Sequence, residues 1–339
     1  MWTEEKLNDL MTTPSETLVE DVKKIKGDIM ILGAGGKMGP TLAILAKNAI
    51  KKANINKRVI AVSRFSDPIA RSVLESNDIE IIACDLMEDG VIDKLPDVEN
   101  VIYMVGRKFG TVGNEILSWG MNTWLPVEVA KRFKESNILV FSTGGVYGLT
   151  SVFDGGSIET DSISTTSGDY VMSAVGRERM FQFGSEKYGT KLFIYRLTYA
   201  IDLRYGVIHD IATRVINDEP ISLKTSLFNC IWQGDANEIA IRGLLYADNP
   251  AVPMNITGPE AVSVRYVANV VGEMVGKKPS FIGEESVDSS IRNAGKSIET
   301  FGYPTVSVNT LIKWTVEWIR FGGRDLGKPT HFEERGGKY

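Results

Sequence analysis

Short runs of consecutive apolar residues alternate along the first half of the chain with longer stretches in which apolar residues recur every three or four positions. The apolar runs lie at 29–32, 59–62, 101–106 and 138–141, and a further strand is predicted at 79–85, where Glu80 interrupts the run and Asp85 ends it. Such runs are typical of strands that are buried on both faces of a parallel sheet, and the periodic stretches are typical of amphipathic helices. Because strand and helix alternate, the pattern predicts an α/β fold, a doubly wound parallel sheet with helices on both faces.

Ahead of the first strand, residues 1–26 predict an N-terminal helical extension. Residues 1–12 are predicted to be a loosely ordered segment. Thr13 and Glu16 are spaced as a capping box, Pro14 suits the first helical position, and an apolar stripe follows until Gly27. The pattern predicts a packing helix beside the first strand.

The first strand turns into a helix through a glycine-rich loop. Gly33, Gly36 and Gly39 recur every three residues directly after the apolar run at 29–32. This spacing allows a tight turn, a close approach of a diphosphate to the backbone, and close packing of the next helix on the strand. The spacing therefore indicates a dinucleotide-binding loop, to which Gly35, Lys37 and Met38 also belong.

The ends of the second and third strands are where such folds hold the adenosine ribose. The second strand ends in Ser63 and Arg64, where an NAD-binding fold would carry an acid, and the third ends in Asp85 and Leu86. A guanidinium with no carboxylate beside it suits a 2′-phosphate, so we predict NADP rather than NAD as the preferred cofactor.

Composition excludes several classes of function. The chain has 339 residues, a net charge of −5 and no long cluster of lysine and arginine, which argues against a nucleic-acid partner. No apolar run is long enough to span a membrane and the N-terminus resembles no signal peptide, so we expect a cytoplasmic protein. With two cysteines and two histidines, all far apart in sequence, no metal site and no Ser-His-Asp nucleophile is predicted.

After the fifth strand, the sequence resembles the extended short-chain dehydrogenases/reductases, in the epimerase/dehydratase branch. The resemblance covers most of residues 27–320. It rests on the glycine loop, on Thr143 within the Ser/Thr-x-x-Val-Tyr-Gly segment that ends at Gly148, on Asn122, and on a helix that begins at Tyr170 and continues to Arg177. The resemblance implies a Rossmann fold with a smaller, discontinuous C-terminal substrate domain, a small sugar-like substrate and a homodimer.

The resemblance also implies domain boundaries. The dinucleotide-binding domain would comprise 27–199 and 229–249, and the substrate-binding domain 200–228 and 250–325. Residues 326–339, which are rich in glycine and charge, would form a surface tail.

In the family, the tyrosine of a Tyr-x-x-x-Lys helix donates or accepts the proton, and a Ser/Thr hydroxyl orients the reacting oxygen. By position, these residues are Tyr170 and Thr143, but Ala174 stands where the lysine belongs. A cation about 4 Å from the phenolate would contribute about 4 kcal/mol at an effective dielectric of ~20. Without it, we expect Tyr170 to keep a pKa of about 10 and to stay protonated at neutral pH. Arg177, nearly two turns further on the same face, either reaches toward the phenol and ribose or anchors the helix.

Further site residues follow from the strand ends and from polar side chains near them. Cofactor contacts are expected at Met104, Val105 and Gly106, because ligands bind at the carboxyl ends of such strands, and at Asn122 on the next helix, which the resemblance includes. Polar candidates for the substrate are Lys108, Thr111, Asn114, Tyr199, Arg204 and Gln233, and Trp232 with Gln233 stands where relatives carry a valine-histidine or similar pair. For Trp232 a place in the core is the alternative.

These observations favour an NAD(P)-dependent oxidoreductase that transfers a hydride between nicotinamide and a sugar-like carbonyl or alcohol. Gly144 and Gly145 replace the Asp-Glu pair of the dehydratases, which argues against dehydration. A sugar or nucleotide-sugar epimerase with retained NAD is one alternative. A catalytically silent dinucleotide-binding regulator, which the absent lysine favours, is the other.

Overall fold

A computed structural model describes residues 2–106, 115–164, 168–328 and 330–335. In chain order, the α-helices of these residues are α1 (Glu4–Thr12), α2 (Glu16–Lys24), α3 (Gly39–Lys52), α4 (Pro68–Glu75), α5 (Glu115–Trp119), α6 (Leu125–Arg132), α7 (Asp169–Tyr188), α8 (Val207–Ile216), α9 (Gln233–Gly243), α10 (Val264–Val275), α11 (Gly295–Phe301) and α12 (Val308–Arg320). A π-helical turn, Gly120–Trp124, joins α5 to α6. None of the described helices combines the length and apolar character that a membrane crossing requires.

The strands, in chain order, are β1 (Ile29–Leu32), β2 (Val59–Ser63), β3 (Glu80–Ala83), β4 (Asn100–Tyr103), β5 (Asn137–Thr143), β6 (Thr150–Ser151), β7 (Lys191–Leu197), β8 (Ala200–Ile201), β9 (Ile221–Ser222), β10 (Leu227–Phe228), β11 (Ile231–Trp232), β12 (Val252–Ile256), β13 (Val262–Ser263), β14 (Phe281–Ile282) and β15 (Asp288–Ser289). Seven of them form one parallel sheet in the order β12-β7-β5-β4-β1-β2-β3. The predicted fold class is confirmed.

The strand order reverses between β1 and β4. After β1 the chain adds β2 and β3 on one side, and then returns to place β4 on the other side of β1. The loops that follow β1 and β4 therefore leave the sheet in opposite directions and open a crevice at their carboxyl ends. Ligands of doubly wound sheets bind at such a crevice.

Both faces of the sheet are covered because alternate side chains of each buried strand enter different cores. Ile29 and Ile31 of β1 pack with α2, α3 and α9, whereas Met30 and Leu32 pack with α6 and α7. This is why the strand appears in the sequence as a continuous apolar run.

A third core lies outside the sheet and joins α8, α10 and α12. It also takes in α1, through the buried side chains of Leu7 and Met11. The prediction that residues 1–12 are loosely ordered is thus wrong: apolar residues four apart pack one helical face into a distant part of the chain. The proposed capping box is also displaced, since Thr13 ends α1 and the hydroxyl of Ser15 accepts a hydrogen bond from Leu18 N at the start of α2.

The C-terminal segment does not behave as a surface tail over its described residues, 326–328 and 330–335. Phe332 and Thr330 are buried, and the backbone N–H of Leu326 donates to the carbonyl of Arg204. We call residues 321–335 the C-terminal strap. Its glycines and charges suggested an exposed tail, but the apolar ring of Phe332 and the partners on α8 hold it to the third core.

Candidate active site

A cavity of about 500 Å³ opens at the carboxyl ends of β1 and β4. One wall is the glycine loop with Met104 and Gly106, and a second is formed by the end of β5 and the start of α7. The far wall comes from the segment 197–206, from Ser290 and from Lys328 of the strap. The crevice at the carboxyl ends of the strands is therefore a pocket of a size typical of ligand sites.

The three spaced glycines of the loop have different surroundings, and together these fit a dinucleotide. Gly33 has φ +87°, and a Cβ there would lie 2.9 Å from Val105 N. A Cβ on Gly39 would lie 2.2 Å from Ala34 O, so α3 packs directly on the loop. A Cβ on Gly36 would meet only Gly33 O, at 3.5 Å, and would otherwise project into the cavity. No side chain caps the N-terminus of α3, which leaves its amide donors to an anion.

Ser63, Arg64 and Asp85 come together beside this loop, at the ends of β2 and β3. Ser63 packs against Gly35, and Arg64 Nη1 lies 3.6 Å from Asp85 Oδ2 at the surface. This corrects the inference that no carboxylate stands beside Arg64: adjacent parallel strands end at the same edge, which brings the two residues together. Leu86 is buried in the core below β3, as Val105 is below β4.

Thr143 ends β5 and Tyr170 begins α7, and their side chains meet in the cavity. The Thr143 hydroxyl and the Tyr170 phenol are hydrogen-bonded to each other, and the Thr143 hydroxyl accepts a hydrogen bond from Gly145 N at 3.1 Å. Desolvation raises the pKa of Tyr170, while the nearby charge of Arg177 and the bond with Thr143 act in the opposite direction. The phenol is therefore protonated at neutral pH, as predicted, with its pKa shifted upward rather than left at its ordinary value.

Arg177 lies on the cavity wall two helical turns beyond Tyr170, and both interpretations of it hold. Its guanidinium is anchored by hydrogen bonds to the side-chain oxygen of Asn122 and to the carbonyl of Phe141. It also faces the cavity beside Ala174 and Gly106, where a Cβ on Gly106 would lie 2.4 Å from Arg177 Nη2. A fixed cation thus acts on the phenol although the motif lysine is absent.

Asn122 itself contributes through this anchor. It is fully buried, and its amide donates to Ser173 Oγ at 2.9 Å while its oxygen holds Arg177. The structure places it behind the cavity wall.

A buried ion pair supports the strand that carries Thr143. Arg196 Nη2 lies 2.8 Å from Glu178 Oε2, and both side chains are almost fully buried. Ser142, on the cavity wall, donates to the same carboxylate at 2.5 Å. Because a buried pair is costly to break, it holds β5, β7 and α7 in one arrangement beneath the site.

The predicted substrate residues that the structure describes divide into three groups. Tyr199 lines the cavity, with a left-handed φ of +44°. Arg204 is directed behind the far wall, where it pairs with Asp202 at 2.8 Å and with Glu4 at 2.7 Å. Trp232 and Gln233 are buried: Trp232 packs against Trp314, and Gln233 bonds to Thr41. Lys108, Thr111 and Asn114 lie outside the described residues.

Three polar residues of the far wall, Tyr205, Ser290 and Lys328, were not predicted as site residues. Thr198 lies beside the predicted Tyr199, and its buried hydroxyl has no hydrogen-bond partner among the residues that the structure describes. Thr198 and Tyr205 adjoin predicted positions, but no local signal in the sequence marks Ser290 or Lys328.

No protein-family model and no curated protein matches this sequence. Solved structures match its fold. MoeE5 in complex with UDP-glucose and NAD aligns with a TM-score of 0.68 at 18% identity, over 87% of this chain and 99% of that one. The UDP-glucose 4-epimerase of Thermotoga maritima aligns with a TM-score of 0.67 at 18% identity, again over 87% and 99%. WbmG of Bordetella bronchiseptica, in complex with NAD and UDP, aligns with 0.69 at 19% identity, over 88% and 96%. The chain is thus similar in fold to UDP-glucose 4-epimerases and related NAD-dependent enzymes of the extended short-chain dehydrogenase/reductase type, as its motifs predicted.

Proposed function

We propose that this chain is an NAD(P)-dependent oxidoreductase that transfers a hydride between nicotinamide and a sugar-like carbonyl or alcohol. The observation that carries the proposal is the hydrogen-bonded pair of Thr143 and Tyr170 in the same cavity as the glycine loop. A purely structural role would not require a proton donor and a phosphate-sized cradle in one pocket.

The dinucleotide would be held by residues already described. Gly33, Gly36 and the N-terminus of α3 would take the diphosphate. Asp85 suits the ribose hydroxyls of NAD and Arg64 suits the 2′-phosphate of NADP, and we propose that Arg64 gives NADP the advantage. When bound, the nicotinamide supplies or accepts the hydride.

The protein's own part in the reaction is to orient the substrate and move one proton. Thr143 donates a hydrogen bond that positions the substrate oxygen. Tyr170 Oη gives its proton to that oxygen when a carbonyl is reduced, and takes it back when an alcohol is oxidised. The Arg177 cation stabilises the phenolate left after proton donation, in place of the motif lysine.

A second candidate is an epimerase that keeps its dinucleotide, oxidising and re-reducing one substrate. The structural similarity to UDP-glucose 4-epimerases favours it. The same Thr143 and Tyr170 would serve both half-reactions, because a proton removed in the first is returned in the second.

The test is a comparison of wild type with Tyr170→Phe, using purified protein, NADPH and NADH, and a panel of sugar-derived ketones and nucleotide sugars. We expect Tyr170→Phe to lower turnover about a thousandfold with little change in dinucleotide affinity, since it removes only the proton donor. Tyr266→Phe, on the exposed face of α10, is the matched control and should keep full activity.

Isomerisation of a sugar without net change in dinucleotide absorbance would support the epimerase. Dinucleotide binding without turnover of any substrate would support a silent regulator and contradict the proposal.

A further inference from the structure

The lining of the cavity is positively charged although the chain as a whole is acidic. Lys37, Arg177 and Lys328 line it, and no carboxylate does so among the described residues. The net charge of the chain is −5. A pocket lined by one sign of charge attracts ligands of the opposite sign.

Two of these cations are accounted for by the dinucleotide site and the catalytic pair. Arg177 is held by Asn122 and Phe141 beside Tyr170. Lys37 belongs to the glycine loop, and its ammonium donates to Ala200 O at 3.3 Å and lies 3.8 Å from the centre of the Tyr205 ring. Lys328 belongs to neither group, and no carboxylate of the described residues pairs with it.

The strap presents Lys328 from anchors on both sides. Two residues before it, Leu326 N donates to Arg204 O at 3.1 Å, directly beside the far-wall residues Tyr205 and Gly206. Two residues after it, the backbone N–H and hydroxyl of Thr330 donate to Asp210 Oδ2 at 2.8 and 2.5 Å. These anchors place the backbone of Lys328 at the edge of the cavity, so that its side chain reaches the lining.

The rest of the strap reinforces this placement. The indole of Trp318 donates to Arg324 O at 3.0 Å, Thr225 donates to Phe332 O at 3.0 Å, and Arg335 pairs with Asp288 at 2.5 Å. These contacts come from three different parts of the chain. They hold the backbone of the strap so that Lys328 lines the cavity together with Ser290.

We propose that Lys328 is a substrate-binding residue that recognises an anionic group, a carboxylate or a phosphate, on the substrate. The substrate is then an acidic or phosphorylated hydroxy or keto compound whose anion lies at the far wall and whose reacting oxygen lies at Thr143 and Tyr170. This inference rests on the proposed function for the place of the reacting oxygen, whereas the anion site follows from Lys328 itself.

The experiment titrates the protein, saturated with dinucleotide, with D-glucuronate, D-glucose 6-phosphate and D-glucose by calorimetry. We expect wild type to bind one of the two anionic probes at least about tenfold more tightly than glucose, the effect of one charge-assisted hydrogen bond. The stronger of the two distinguishes a carboxylate substrate from a phosphate ester.

Lys328→Met should abolish the preference for the anion, and Lys328→Arg should retain most of it. The matched control is Lys313→Met, which removes an equally exposed lysine from the outer face of α12 and should change nothing. Equal affinity of wild type for charged and neutral probes, or a preference that survives Lys328→Met, would overturn the proposal.

The two proposals fail separately. Absence of dinucleotide binding to wild type contradicts the proposed function, and the anion titration is then repeated without dinucleotide. Dinucleotide binding with no role for Lys328 contradicts only the anion site.

Discussion

Two walls of the cavity, the glycine-loop wall and the far wall, are built in opposite ways. The glycine-loop wall is local: seven consecutive residues, 33–39, form the turn and the start of α3. The far wall is assembled from Tyr199, Tyr205, Ser290 and Lys328, which more than a hundred residues of chain separate. Local geometry alone makes the first wall, while the second depends on the third core and on the strap.

This difference determines how each wall responds to change. A side chain added at Gly33 or Gly39 meets backbone atoms of the neighbouring segments at 2.9 Å or less, which cannot move aside easily. The far wall is held by hydrogen bonds and ion pairs at its rear, such as Arg204 with Asp202 and Thr330 with Asp210. Substitutions there should alter position and affinity before they alter the fold.

The largest effect is expected within the glycine loop, where two substitutions separate packing from binding. Gly39→Ala should lower the free energy of unfolding by about 3 kcal/mol, since its Cβ would lie 2.2 Å from Ala34 O. Gly36→Ala should leave stability nearly unchanged and weaken dinucleotide binding about tenfold or more, because its Cβ would enter the cavity. Denaturant unfolding and dinucleotide titration of both variants measure this. Equal loss of stability in the two would show that the loop is merely a packed turn.

Between the walls, the raised pKa of Tyr170 predicts a one-sided pH dependence. Alcohol oxidation requires the phenolate, so its rate should rise about tenfold per pH unit from pH 6 to 8, while carbonyl reduction by the protonated phenol stays flat. Initial rates in both directions across this range test it. A plateau of oxidation near pH 7 would contradict the upward shift.

Ala174→Lys sharpens the same prediction. Restoring a cation one turn from the phenol should lower the pKa of Tyr170 and move the rise of the oxidation rate to lower pH by about one unit or more. An unchanged profile would mean that Arg177 already supplies all the electrostatic stabilisation that the site can use.

A smaller effect is expected at the rear of the far wall. Burial raises the pKa of Asp210, and its bonds from Thr330 oppose that rise. Thr330→Val removes the hydroxyl bond and should cost about 1 kcal/mol of unfolding free energy at pH 7. Because the folded-state pKa of Asp210 is raised above its unfolded value, the free energy of unfolding falls as pH rises through the interval between these two pKa values. Toward pH 4 the carboxyl becomes protonated and accepts a weaker hydrogen bond, so the cost of Thr330→Val should shrink there. Unfolding at both pH values measures this, and a pH-independent cost would contradict it.

The smallest effect is expected at Arg64, which is exposed and already 3.6 Å from Asp85. Arg64→Ala should weaken NADPH about fivefold to tenfold and leave NADH unchanged, as loss of one screened phosphate contact would. Parallel fluorescence titrations decide it. Equal weakening of the two dinucleotides would remove Arg64 from the 2′-phosphate site.

Part of the fold was predictable because residues that are close together in the sequence determine it. The buried runs specified β1, β2, β4 and β5, and the glycine spacing specified the turn into α3. The approach of Thr143 to Tyr170 was predicted from a family resemblance, which carries over long-range geometry that the residues themselves do not reveal.

Other features could not be predicted locally. Asp85 beside Arg64 required the pairing of β2 with β3, and the burial of Trp232 and Gln233 required the packing of α9 and α12. The sequence likewise did not show that α1 and the strap pack into a core formed by distant segments. Each has few apolar residues, and their partners lie up to about 300 residues away.

The sequence by itself therefore determined the sheet, the phosphate-sized turn and the absence of the motif lysine, because strand burial, glycine backbone freedom and residue identity are local properties. Only the tertiary structure decided that the Arg177 cation faces the phenol from two turns away, and that Lys328 lines the same cavity as the glycine loop. Both depend on contacts between segments far apart in sequence, and the free energy of such contacts is set by the packing of the whole fold.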